Sequence, residues 1–170
     1  MFRTAAIKFF TKVADYRVPL FETEWLECKN LSSEFRREFM TTHLPRYLIS
    51  GLNNKKGFII VGGMKAGNIR DADFGIPRGV PLTFLQQRII ELQVKIARMK
   101  IDPSLTDDDI WVEFIYMGRG SHLILIGVDP RPTCTKRFVT RGAAYKRVGT
   151  SCVRMRVISR PIMWYPHRKF

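Results

Sequence analysis

Acidic residues are missing from the last quarter of the chain: between Pro130 and Phe170 there is no Asp and no Glu. Cysteine is scarce, and Cys28, Cys134 and Cys152 are odd in number and widely spaced. No CxxC pair occurs, which argues against a zinc site, and scattered thiols suit a reducing compartment or burial. No apolar run approaches the length of a membrane-crossing helix. The phosphate-loop spacing GxxxxGKS/T and the dinucleotide spacing GxGxxG are both absent. His43, His122 and His167 have no Ser, Cys or carboxylate at a recognisable catalytic spacing. No cofactor, no metal and no enzymatic activity are expected.

What is present is charge of one sign in one place. The chain has 170 residues, 45% of them hydrophobic, enough for one domain with extensions and a core that needs no disulfide. Its net charge is +14, from 29 bases and 15 acids. Eleven of the bases fall after Pro130, leaving residues 1–129 with 18 against 15. Like charges concentrated in a short segment repel, and a nucleic-acid backbone is the densest common counter-charge. A solubilising tail would be simpler in composition. Here the bases alternate with Phe138, Val139, Tyr145, Val148, Val153, Met155, Val157, Ile158, Trp164 and Tyr165, residues suited to packing.

The candidate RNA-contacting residues are Arg131, Lys136, Arg137, Arg141, Lys146, Arg147, Arg154, Arg156, Arg160, Arg168 and Lys169, with Tyr145 as a stacking side chain. Arg outnumbers Lys eight to three in this set, and the planar guanidinium fork matches phosphate. Gly142 and Gly149 would let backbone approach a phosphate closely. Trp164, Tyr165 and His167 add further rings that could stack on unpaired bases. No RNP motif, KH loop or zinc knuckle is present, so binding by backbone and shape is expected, not sequence reading.

The start of the chain, "MFRTAAIKFFTKVADYR", holds Arg3, Lys8, Lys12 and Arg17 against Asp15 alone. On a helix, Phe2, Ala6, Phe9, Phe10 and Val13 share a face. A basic, amphipathic, acid-poor start reads as a mitochondrial address or as an ordinary surface helix. Residues 1–22 are expected to form an arm, possible as an uncleaved targeting segment, residues 23–129 the body, and residues 130–170 the basic segment with a final strand.

Within the body, "FETEWLECKNLSSEFRREFMTTHLPRYLISGLNN" reads as broken helix, with Ser32 or Ser33 as a cap and Pro45 as a new start. "GFIIVGG" is a buried strand. "MKAGNIRDADFGIPRGVP", rich in Gly and Pro, reads as a long loop or an irregular crossing. From Leu82 to Lys100, Leu85, Ile89, Leu92, Ile96 and Met99 form one apolar stripe, expected to pack on the core. "IWVEFIYM" and "SHLILIGV" flank "GRG" as a hairpin. "CVRMRVIS" is a third strand with Val153, Met155 and Val157 facing the core and Arg154 and Arg156 facing out. The expected fold is α+β: a small antiparallel sheet covered by a long amphipathic helix, with a basic C-terminal ribbon.

Two other constellations carry weaker chemistry. In "VGGMKAGN", backbone amides at Gly62, Gly63 and Gly67 beside Lys65 could hold a phosphate, although a tight turn or an RNA-backbone contact fits better than a nucleotide. Asp107, Asp108 and Asp109 are adjacent and do not converge on a cation; a solvated turn is expected.

The basic α+β domain with its long cationic ribbon resembles mitochondrial ribosomal proteins as a class. "LTDDDIWVEFIYMGRG" followed by "TKRFVTRGAAYKRVGTSCVRMRVI" is similar to the C-terminal half of the large-subunit ribosomal protein that sends a β-hairpin along the exit tunnel. Lys136, Arg137 and Gly142 would take the places of that family's basic pair and following Gly. Residues 121–135 are an insertion relative to that pattern. The resemblance implies a structural constituent of a mitochondrial ribosome, in the matrix, with rRNA and neighbouring ribosomal proteins as partners. The rival expectations are an accessory subunit of a mitochondrial inner-membrane complex, its bases meeting lipid headgroups, and an RNA-processing factor.

Overall fold

The structure, a computed structural model, describes residues 2–69, 72–131, 133 and 135–155. The fold is α+β. Its centre is the hairpin of β8 (Ile110–Gly118) and β9 (Ser121–Val128), turned by Arg119 and Gly120. Both turn residues have positive φ, 53° and 72°, the tight turn whose twist matches the flanking strands. On its other side β9 pairs antiparallel with β3 (Phe58–Gly62), and β6 (Val80–Pro81) continues that edge. β2 (Leu26–Lys29) joins β3 in parallel at the edge of this otherwise antiparallel sheet.

The sheet is buried on both faces. Phe58, Ile60, Ile124, Ile126 and Val128 point to one core, and Ile59, Val61, Leu123 and Leu125 to another. This is why β3 and β9 read as unbroken apolar runs without polar alternation. The first face is covered by α3 (Leu44–Asn53) and α4 (Phe84–Met99), with Phe39 and Met40 just ahead of α3; the short α2 (Ser33–Glu38) buries no residue. A single π-helical turn, Phe39–His43, joins α2 to α3. It lies just ahead of Pro45, which has no N–H to offer the helical ladder. The second face is covered by α1 (Phe2–Tyr16) through Ala6, Phe10, Val13 and Ala14. The helix at residues 2–16 thus packs one face on the second core and leaves the other in solvent. Phe9, grouped with Ala6, Phe10 and Val13 by helical spacing, is 44% exposed.

Two expectations are corrected. The Gly/Pro-rich stretch is not a loop but the antiparallel pair β4 (Met64–Ile69) and β5 (Ala72–Pro77), with β1 (Leu20–Phe21) on its edge. Glycine is used there for room: the Phe74 ring lies against Gly67, and Cys28 against Gly75. The α4 stripe is also reversed. Ile90, Val94 and Ala97 are buried, whereas Leu85, Ile89, Leu92, Ile96 and Met99 all face solvent. The helix begins at Thr83, whose hydroxyl accepts from the Gln86 amide while Gln86 Oε1 accepts from Thr83 N–H.

The basic segment forms two small ribbons. β10 (Val139–Thr140) pairs with β7 (Ile101–Asp102), and β11 (Tyr145–Val148) pairs with β12 (Ser151–Arg154). β12 thus joins no strand of the central sheet, and Val153 is exposed instead of reaching the core.

Candidate nucleic-acid interface

The ribbons are tied to the C-terminal end of α3 by one side chain. Asn53 donates from Nδ2 to the carbonyls of Phe138 (3.0 Å) and Tyr145 (2.8 Å), and its Oδ1 accepts from Phe138 N–H (2.8 Å). Next to it, Asn54 Oδ1 accepts from Arg147 N–H at 3.1 Å. An amide suits this task because it donates and accepts at once. Phe138, fully buried, anchors the ribbon in the first core.

Between the two anchored points the backbone turns at Arg141 and Gly142, with φ of 48° and 72°, and Thr140 and Ala143 bond across the turn. Arg141 is thereby held exposed at a tip. A groove of about 320 Å³ runs beside it, lined by Arg46, Lys100, Arg141, Arg154, Tyr145 and neutral residues, with no Asp or Glu. The Arg46 guanidinium lies 5.9 Å from the Tyr145 ring centroid. A second depression of about 310 Å³ shares Arg46 and Tyr145 and continues along Tyr47, Thr150 and Ser151. Four cations from three parts of the chain, an aromatic face and several hydroxyls make a surface matched to a phosphodiester track.

Not every candidate base serves this surface. Lys136, Arg137, Arg141, Lys146 and Arg154 are exposed. Arg147 is a correction: its side chain is fully closed from solvent, donating to Glu27 Oε2 (2.6 Å) and to the Thr23 carbonyl (2.9 Å). Arg131 is half-buried and paired with Asp109, with its guanidinium 5.9 Å from the Phe138 ring centroid. Strand alternation separates the rest. Tyr145 and Arg154 are paired across β11 and β12 on the side facing α3, and Lys146 and Val153 are paired on the opposite side. Arg156, Arg160, Arg168 and Lys169 lie outside the described residues, as do Cys134, Val157, Trp164, Tyr165 and His167.

Sequence reasoning missed Arg46 and Lys100. Arg46 follows Pro45 on α3, and Lys100 caps α4. Each looks like an ordinary surface base in its own segment. Only the packing of both helices against the ribbon brings them to the groove.

A second charged cluster lies under β2. Glu27, almost fully buried, also accepts from Lys29 Nζ at 2.6 Å. Burial opposes the Lys29 charge, but its contacts with Glu27 and Tyr47 outweigh this and its pKa is raised. Glu22 Oε1 accepts from the Cys28 N–H at 3.0 Å. Burial and the nearby Glu27 carboxylate push the Glu22 carboxyl above its ordinary value. Burial, with Glu22 and Glu27 adding to it, pushes the Cys28 thiol up to about 12. Burial likewise raises the Cys152 thiol, opposed by Ser50, Arg147 and Arg46. The cluster is a structural tie between β2 and the ribbon.

The other motifs resolve locally. Gly63 has a φ of 88°, its N–H bonds the Asn30 carbonyl, and its carbonyl accepts from Arg78 and Gly79. This is a tight crossing whose polar groups are already used. Asp107 pairs with Arg98, and Asp109 also accepts from Thr106 N–H at 2.7 Å. Among the described residues no group of three or more His, Cys, Asp or Glu side chains is placed to hold a metal ion.

No protein-family model matches the chain, and no curated protein does. Among solved structures it is similar to the N-terminal domain of an ATP-dependent DNA helicase RecG-related protein from Nitrosomonas europaea, determined by solution NMR. That likeness has a TM-score of 0.49 at 18% identity, over 82% of this chain and 88% of the other. It is too slight to assign a fold or an activity.

Proposed function

We propose that the chain is a non-enzymatic RNA-binding protein that holds the phosphate backbone of folded RNA in the Arg46–Arg154 groove. Its particle is a mitochondrial ribosome, where the groove and the basic segment would neutralise rRNA phosphates and the helical faces would meet neighbouring proteins. The observation that carries this reading is the acid-free groove, where Arg46, Lys100, Arg141 and Arg154 converge on Tyr145 from separate elements. A tail made only for solubility has no need to bring α3 and α4 cations to the same place. The amphipathic first helix, with Lys8 and Lys12 exposed, supports a mitochondrial address. Among the described residues no helix is long and apolar enough to cross a membrane.

The test is sedimentation of a gently lysed mitochondrial extract with and without RNase. Migration in a large particle that RNase collapses is the expected result. A large particle that resists RNase and dissolves in detergent would overturn the ribosomal reading in favour of a membrane complex. Turnover of RNA by the purified chain would overturn it in favour of a processing factor.

A further inference from the structure

The outward stripe on α4 is not covered by any of the described residues. Leu85, Ile89, Leu92, Ile96 and Met99 are 69%, 47%, 57%, 44% and 74% exposed. They step by four, three, four and three residues, the spacing of a coiled-coil seam, with Ile at one seam position and Leu or Met at the other. The opposite face of the same helix is held on the body by Ile90, Val94 and Ala97. The seam is therefore rigidly presented along a helix of about 24 Å. Lone exposed apolar residues are ordinary, but a contiguous row of this kind marks an interaction site.

The flanks say what covers it. Arg88 and Lys95 are exposed on one side of the seam. On the other a groove of about 300 Å³ lies between α2 and α4, with Arg36, Arg37 and Ile89 among its lining residues. The Arg36 Nη1 atom is buried and meets no hydrogen-bond acceptor among the described residues. Glu91 is already engaged by Arg88 at 2.8 Å. An antiparallel second copy would bring Arg88 and Lys95 against like charges. A carboxylate entering the groove would satisfy Arg36 and sit between two guanidinium groups.

We infer that α4 and the α2–α4 groove form a docking surface for an amphipathic helix of another protein, with an apolar seam and acidic flanks. The partner's seam would interdigitate with Leu85 to Met99, and its acids would lie toward Arg36, Arg37 and Lys95. This is independent of the RNA reading, since no residue of the seam lines the phosphate groove.

The probes are two synthetic three-heptad peptides (about 21 residues) sharing a Leu/Ile seam, one with Glu and one with Lys at the flanking positions. Binding to the full chain is read by fluorescence anisotropy, and its stoichiometry and self-association by sedimentation velocity. The Glu peptide is expected to bind one to one and the Lys peptide not at all. Leu92→Glu and Ile96→Glu should each weaken the Glu peptide by at least about tenfold, and Arg36→Gln by several-fold. Both seam positions face solvent, so the melting temperature should not fall. RNA affinity should be unchanged in all three variants. Equal binding of both peptides, no binding of the Glu peptide, or a concentration-dependent dimer abolished by Leu92→Glu would each overturn the assignment.

Discussion

Arg147 and Glu27, 120 residues apart in the chain, meet through a 2.6 Å bond from Nη1 to Oε2 with both side chains closed to solvent. The pair fastens the basic ribbon to β2. Its guanidinium also lies 5.1 Å from the Phe58 ring centroid, at the edge of the first core. A base that composition alone marks for contact with nucleic acid thus serves the fold.

Replacing Arg147 by Met should destabilise the protein by about 3 kcal/mol, because it leaves a buried carboxylate short of a partner. Lys29 still engages Glu27, which keeps the loss at the low end of the usual range. Urea unfolding measures it. The double change Arg147→Met with Glu27→Gln should recover part of the loss. Under conditions where Arg147→Met remains folded, its RNA affinity should equal that of the wild type. A large affinity loss in the folded protein would mean that Arg147 reaches phosphate after all.

The groove makes a different prediction for its own cations. If Arg46, Lys100, Arg141 and Arg154 each neutralise a phosphate, the logarithm of affinity should fall with the logarithm of salt with a slope of about −3, at the single-strand value of about −0.7 per contact. Arg46→Ala and Arg141→Ala should each make the slope shallower by about 0.7. Lys146→Ala, on the opposite side of the ribbon, should change it less. Titration of a fluorescent RNA at several salt concentrations decides between them. Equal effects at Arg46 and Lys146 would mean that the charge acts as a diffuse cloud and not as a groove.

The division between what could and could not be read in the sequence follows from where each signal is local. The "GRG" turn carries its own conformational demand, and β3 and β9 are apolar throughout because both their faces are covered. The helix from Phe84 to Met99 is equally legible as a helix. Which side it buries is not, because Ile90, Val94 and Ala97 make a weaker stripe than the five larger residues opposite. Periodicity ranks the two faces by apolar content, whereas burial depends on what the rest of the fold presents. The β4–β5 hairpin is hidden for a related reason: Gly67 and Gly75 look like loop residues until Phe74 and Cys28 are placed against them. At the candidate interface, composition points to residues 131–170, and the alternation within β11 separates Lys146 from Arg147. It gives no sign of which side is inner, nor that Arg46 and Lys100 arrive from elsewhere.

Glu22 offers a pH test of the cluster beneath β2. Burial and the Glu27 charge raise its carboxyl above the ordinary 4.5. A raised acid favours the folded state only while protonated, so its contribution is present below the unfolded value and lost as pH rises through the folded one. Glu22→Gln keeps an acceptor for the Cys28 N–H and removes the charge. The variant should melt higher than the wild type at neutral pH, and the difference should close as pH falls below about 4.5. A gap that stays constant with pH would show that the Glu22 charge costs the fold nothing.

The last prediction concerns the seat of α1. Trp111 on β8 lies directly across Gly127 of β9, with its indole ring covering the position that a Gly127 Cβ would take. The ring is fixed by a 2.7 Å bond from Nε1 to Asp129 Oδ1. Phe2 meets it edge-on at 6.3 Å, and the Arg3 guanidinium lies 5.6 Å from its centroid. Gly127→Ala therefore cannot be accommodated by a small adjustment. The indole must move, and with it the bond to Asp129 and the contacts that hold the start of α1. The backbone at Gly127 is ordinary strand, so loss of chain entropy in the unfolded state would favour Ala by at most about 1 kcal/mol. Overpacking costs about 1–3 kcal/mol, so net destabilisation is expected. Hydrogen exchange should localise it, with faster exchange in Phe2–Tyr16 and little change in α3, which packs on the other face. Uniform loss of protection across both faces would show that the two cores unfold as one unit. Unchanged protection in α1 would show that Trp111 is not what seats it.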